Sequence, residues 1–134
     1  MKKTIFLAIL FLIAAVGCQP RKPPAIKIIA ASHIGDSGAY AWGYVTGVPP
    51  GEYGVAVYIL VRGNWVTKPY WSNPTTPLLG PLWFCDIVTG GVDEEATKIR
   101  AYLWKLSDGD PPRAYGEEKV YIDEDVPFDE IDRK

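Results

Sequence analysis

Residues 53–68 read YGVAVYILVRGNWVTK, and their texture decides the fold. Val55, Val57, Ile59 and Val61 recur at every second position, so an extended chain places all four on one face. β-Branched and aromatic residues crowd the run, as a pleated, half-buried surface favours. The stretch 53–62 therefore predicts a strand, and NWVTK at 64–68 predicts another directly after it.

The same texture continues on both sides. Strands are predicted at IKIIAAS (26–32), AYAWGYVTG (39–47), LWFCDIV (82–88), TKIRAYLWK (97–105) and EKVYID (118–123). Ile99, Ala101 and Leu103 repeat the period-two face. Between the runs stand GDSG, GVPPGE, NPTTPLLGP, TGGVDEE and SDGDPP, all turn and loop chemistry. Seven short strands with such punctuation predict an all-β chain, a single antiparallel β-sandwich over residues 25–123. No stretch after Ala25 has the 3.6-residue period of an amphipathic helix.

This pattern resembles the immunoglobulin-like and fibronectin type III-like sandwiches. GGVDEEATKIRAY, with an acidic turn before Ala96 and Tyr102, is similar to the corner between their fifth and sixth strands. The cysteine pair of the immunoglobulin branch is missing, which favours the fibronectin-like one. VAVYILVRGNWVTKPYW followed by LWFCDIVTGG also resembles modules of secreted bacterial proteins, some of which stand beside carbohydrate-active domains. The resemblance is one of fold and implies no activity.

The chain begins MKKTIFLAILFLIAAVGCQPRKPP. Lys2 and Lys3 precede an apolar run from Ile5 to Val16, the layout of a secretory signal. The run is well short of the roughly 20 residues that a membrane-crossing helix needs. Ala15-Val16-Gly17-Cys18 resembles the lipobox of bacterial lipoprotein precursors, with Ala15 where that family more often has Leu. The resemblance implies a cleaved N-terminal signal helix over 1–17 and acyl chains on Cys18. It also implies a partner, the membrane, and a place in the bacterial envelope. Gln19 after the cysteine leans toward the outer membrane where there is one, and otherwise toward the outer face of the cell membrane. Residues 18–24 then form the lipidated cysteine and a proline-rich tether.

Without Lys2 and Lys3, twelve basic residues face sixteen acidic ones, so the remaining chain carries a net charge of about −4. A basic footprint is missing, and nucleic acid is excluded as a partner. With Cys18 acylated, Cys85 has no disulfide partner and is expected as a small buried hydrophobe. The segment 124–134 is expected to be a solvated acidic tail.

Several residues imitate catalytic or metal-binding patterns. GDSG at 35–38 is similar to the nucleophile loop of chymotrypsin-like proteases, but His33 is the single histidine and Ala39 replaces the Gly that follows in that family. One histidine makes no zinc site. Asp108 and Asp110, with Asp123, Glu124 and Asp125, offer hard oxygens for calcium without the spacing of a helix–loop–helix site. Asp86, Glu94 and Glu95 qualify for glycoside hydrolysis by residue type alone. No cofactor, no metal and no catalysis are expected.

The aromatic residues carry the functional expectation. NWVTKPYWSNP at 64–74 sets Trp65, Tyr70 and Trp71 beside Asn64, Lys68 and Asn73 in a turn-like setting. Flat rings with polar neighbours suit stacking on sugar rings, with amide and ammonium groups bonding hydroxyls. Two further rows, Tyr40-Trp42-Tyr44 and Arg100-Tyr102-Trp104, each share a strand face, and the sequence leaves open whether these faces are core or surface. Either Trp83 or Trp104 is expected to pack between the sheets. The expected function is binding of a saccharide or another envelope component through exposed aromatics. The alternatives are a protein-interaction or scaffold module and a small hydrolase.

Overall fold

The computed structural model describes residues 22–36 and 38–134. The signal segment 1–17, Cys18, the tether as far as residue 21, and Ser37 lie outside the described residues. The described residues form eight strands: β1 (Ala25–Ala31), β2 (Tyr40–Thr46), β3 (Tyr53–Val61), β4 (Asn64–Lys68), β5 (Leu82–Asp86), β6 (Lys98–Lys105), β7 (Tyr115–Glu117) and β8 (Phe128–Asp132). They build an antiparallel β-sandwich, a three-stranded sheet ordered β1-β2-β5 against a five-stranded sheet ordered β7-β4-β3-β6-β8. Among the described residues no helix is long and apolar enough to cross a membrane.

The alternation read from 53–68 sets the core. Val55, Val57, Ile59 and Val61 of β3 face inward with Ile99, Ala101 and Leu103 of β6. They meet Ile26 and Ile28, Ala41 and Val45, and Trp83 and Cys85 from the opposing sheet. Each fully buried valine, leucine or isoleucine side chain contributes about 1.5–3 kcal/mol. Trp83, not Trp104, is the tryptophan between the sheets, with no exposed surface. It lies opposite Gly43 on β2, where any side chain would meet the indole and the Lys27 carbonyl. The β3–β4 hairpin turns through Arg62 and Gly63, both with positive φ, as a two-residue hairpin turn requires.

The five-stranded sheet is covered on its outer face as well. Ala56, Tyr58, Trp65 and Tyr102 form a second apolar cluster with Ala114, packed by Val120, Ile122 and Val126. The segment from Pro111 to Val126, apart from the residues of β7, is thus a lid over this sheet. Tyr58 Oη donates to the Pro112 carbonyl at 2.5 Å, and burial raises its phenol well above the usual range. Thr67 and Ala114 exchange two hydrogen bonds of 2.8 Å. Tyr102 sits mid-strand on this face, its hydroxyl accepting from an Arg100 guanidinium nitrogen at 3.2 Å. Residues 118–123, expected as a strand, run instead as irregular chain within the cover. Their apolar alternation is real, but Val120 and Ile122 use it to pack onto side chains rather than to pair backbones.

The acidic segment 124–134 is not a solvated tail. Its β8 pairs with β6 over five residues, and Glu130 meets Arg100 at 2.8 Å. Asp129 reaches across to the other sheet and accepts from the Ile28 amide at 2.8 Å. Arg133 is buried and donates to the carbonyls of Ser32, His33 and Glu94 at 2.7, 2.5 and 3.1 Å. Burial lowers its guanidinium from the ordinary value.

Two outcomes are expected. Deleting residues 128–134 abolishes cooperative thermal unfolding followed by circular dichroism, where removal of a solvated tail leaves it intact. Cys85 is buried and free, and desolvation pushes its thiol up to about 12. In a Cys18→Ser chain it is therefore unreactive toward a disulfide reagent at pH 8 until denaturant is added. Because the unfolded thiol titrates at about 8.5, this group's stabilising contribution is whole below that pH and is lost as pH rises toward the folded value.

Candidate functional site

β4 ends at Lys68, followed across a cis peptide by Pro69. The chain then closes a tight turn over residues 70–73, in which the Asn73 amide donates to the Tyr70 carbonyl at 3.1 Å. Trp71 stands on this turn. The Arg113 Nε donates to the Trp71 carbonyl at 2.6 Å, and its guanidinium lies 5.9 Å from the indole centroid. Asp110 holds the other end of Arg113 at 2.9 Å. Tyr115, the first residue of β7, meets the Trp71 ring edge-on at 6.0 Å. Half of the Trp71 surface and most of the Tyr115 surface remain open to solvent.

Behind these rings lies a cleft of about 430 Å³, bounded by Lys68–Trp71, Thr89–Asp93 and Ala114–Gly116. That volume falls in the range of small-molecule sites. Its walls are mostly apolar, and its floor is polar. Lys68 and Asp93 form a buried ion pair, and Lys68 Nζ also donates to Thr89 Oγ1 at 2.8 Å. Thr89 in turn donates through its amide to Asp93 Oδ2 at 3.1 Å and through its hydroxyl to the Pro69 carbonyl at 2.9 Å. Asp93 opens a short 3-10 turn, Asp93–Glu95, soon after the glycine pair Gly90-Gly91. The floor is therefore a fixed set of donors and acceptors under an aromatic rim.

The structure divides the six residues that the sequence grouped. Lys68, Tyr70 and Trp71 line the cleft. Trp65 does not stand beside them as an exposed ring. Only 5% of its surface is accessible, because period two turns it to the outer face, under the cover segment and 4.3 Å from the Arg100 guanidinium. Lys68 is likewise buried, held by Asp93 rather than standing free on a turn. Asn64 lies at the hairpin end of β4 and Asn73 closes the turn, neither of them lining the cleft. Thr89, Asp93 and Tyr115 are the residues that sequence reasoning missed. Thr89 and Asp93 bracket TGGVD, and their only signal is a glycine pair flanked by a hydroxyl and a carboxylate.

A second aromatic surface lies on the outer face of the three-stranded sheet. Here the aliphatic side chains point inward, so Tyr40, Trp42 and Tyr44 stand outside. Trp42 stacks with Phe84 of β5 at 6.1 Å, and Phe84 is half exposed. The corresponding row on β6 is covered, Tyr102 being buried among Tyr58 and Phe128.

Two of the remaining titratable candidates, Glu95 and Asp86, have structural partners. Glu95 pairs with Arg62 at 2.7 Å, whose hydrogen bond lowers its carboxyl below the usual value, opposite to what a glycosidic acid needs. Asp86 accepts from the Val88 amide at 3.2 Å. Among the described residues no group of three or more His, Cys, Asp or Glu side chains is placed to hold a metal ion. No family model, curated protein or solved structure matches the chain.

Breaking the floor of the cleft tests its role in stability. Asp93→Asn leaves the Lys68 ammonium without a counter-charge and is expected to cost about 3–5 kcal/mol. Lys68→Met with Asp93→Leu recovers much of that loss, since no buried charge then remains. Urea titrations of the single and double variants read both values.

Proposed function

We propose that this chain is a lipid-anchored binding protein of the bacterial envelope that takes a saccharide end in the cleft under Trp71. The observation that carries the reading is the pairing of a pre-set aromatic rim, Trp71 and Tyr115, with a polar floor, Lys68, Thr89 and Asp93, around one concave site. A sugar ring has apolar faces and a belt of hydroxyls, and it needs both kinds of surface at once. An ammonium has three donors, of which Thr89 and Asp93 take two. The third suits a ligand hydroxyl. Arg113 and Tyr115 fix Trp71 before a ligand arrives, which reduces the ordering cost of binding. The anchor rests on the lipobox-like AVGC at 15–18 and holds the ligand near the membrane. The fibronectin-like reading is supported by successive strands that cross between the sheets and by a Cys85 that stands free.

A protein partner is the second reading, favoured by one feature. Tyr40, Trp42, Tyr44 and Phe84 spread a flat aromatic surface over two strands, the kind of patch that protein contacts use.

A tryptophan-fluorescence titration of soluble 19–134 against a panel of glycans separates the two. A saturable shift is expected, weakened at least about tenfold, or about 1.4 kcal/mol, by Trp71→Ala and unchanged by Trp42→Ala. Loss of the shift in Trp42→Ala instead moves the sugar to the sheet face. Silence of the folded chain across the panel sinks the saccharide reading.

A further inference from the structure

The end of the sandwich from which the N-terminal segment leaves is rich in exposed apolar side chains. Lys22 and Pro23 lie against Gly47, their carbonyl oxygens both 2.5 Å from where a side chain would begin. Gly47 opens the β2–β3 loop, and this loop forms one continuous surface with the chain before β5 and after β6. Three shallow hollows run together here, sharing residues of the 47–51 loop and Leu78. The hydrogen bonds between Leu106 and Glu52, 3.0 Å, and between Val45 and Pro81, 2.8 Å, tie the loops to one another. On this end Leu79 is 66% exposed, and Leu82, Leu106 and Tyr44 are exposed too, with Pro50 and Pro81 between them. Among the described residues there, Lys22 and Lys105 stand with Glu52 and Asp108.

The chain itself says what faces this surface. Cys18 precedes Lys22 by four residues, which span at most about 14 Å when fully extended. We propose that this end of the domain is a lipid-contacting surface, in which the exposed leucines and Tyr44 enter the headgroup boundary beside the acyl anchor. The inference rests on the lipid-anchor part of the reading above and is independent of the saccharide. Apolar side chains at the boundary supply a second membrane contact, of the kind that makes single-point anchoring stable. They also fix the orientation of the domain. The cleft, which includes Val61 and Asp93 at the opposite end of the sandwich, then stands clear of the lipid.

The test uses the full chain, acylated and reconstituted in vesicles of phosphatidylethanolamine and phosphatidylglycerol. A fluorophore is placed by Leu79→Cys, or by Glu94→Cys at the opposite end, Cys85 being unreactive. The label at 79 is expected to be quenched several-fold more than that at 94 by a lipid with a nitroxide headgroup, and several-fold less by aqueous iodide. Equal responses in acylated, vesicle-bound protein overturn the lipid contact and leave the anchor standing. Shielding of the label at 79 from iodide without quenching by the lipid assigns the surface to a protein contact and overturns it as well. A mass spectrum without acyl chains on Cys18 brings down the anchor and this inference together, while the glycan titration still decides the cleft on its own.

Discussion

β3 is buried on both faces, and the rest of the molecule follows from having to cover both. Val55, Val57, Ile59 and Val61 face one way and Ala56, Tyr58 and Leu60 the other, so neither side of its sheet is able to meet water. Burial of apolar surface drives the fold, and a two-sided strand needs a layer on each side. The three-stranded sheet supplies one layer. The other is the segment from Pro111 to Val126, irregular apart from β7 and pinned by Tyr58 and Thr67 through hydrogen bonds to the backbone of Pro112 and Ala114. Irregular chain serves as a layer here because its polar groups find partners on the sheet, at Tyr58 and Thr67.

The candidate site is a by-product of this covering. The lid must return to the sheet edge at Ala114–Glu117, where it becomes β7 and pairs with β4. That return leaves a gap between the lid, the turn after β4 and the loop after β5. Apolar walls come from the two strands, and the ion pair of Lys68 and Asp93 closes the gap at its inner end. Tyr115 marks the place where the lid meets Trp71, so the aromatic rim is a meeting of two segments far apart in sequence.

Where strand periodicity and turn chemistry act locally, the sequence was informative. Six of the strands, β1 to β6, fall within a residue or two of the runs that alternation marks. The opposite held wherever a partner distant in the chain decides the outcome. DEID at 129–132 reads as solvated acid until Lys98 and Arg100 of β6 lie beside it. Trp65 reads as a turn aromatic until a lid covers it. Alternation alone does assign Trp65 and Val66 to opposite faces, but it gives no measure of what lies over either. Asp93 was legible as an acidic turn and not as the counter-charge of Lys68, since that pairing joins the end of a strand to a loop 25 residues further on.

Arg133 joins three segments through carbonyl oxygens. The cross-strand charges beside it, Lys98 with Asp132 and Arg100 with Glu130, lean on carboxylates. Acid neutralises a carboxylate, and salt screens an exposed pair, but a backbone carbonyl neither titrates in that range nor carries a charge to screen. The last strand and the residue after it thus carry two fasteners of different kinds. Acidification or brine loosens the one along the strand and leaves the clasp at its end closed, so a domain bathed by changing surroundings keeps its two sheets joined at that corner.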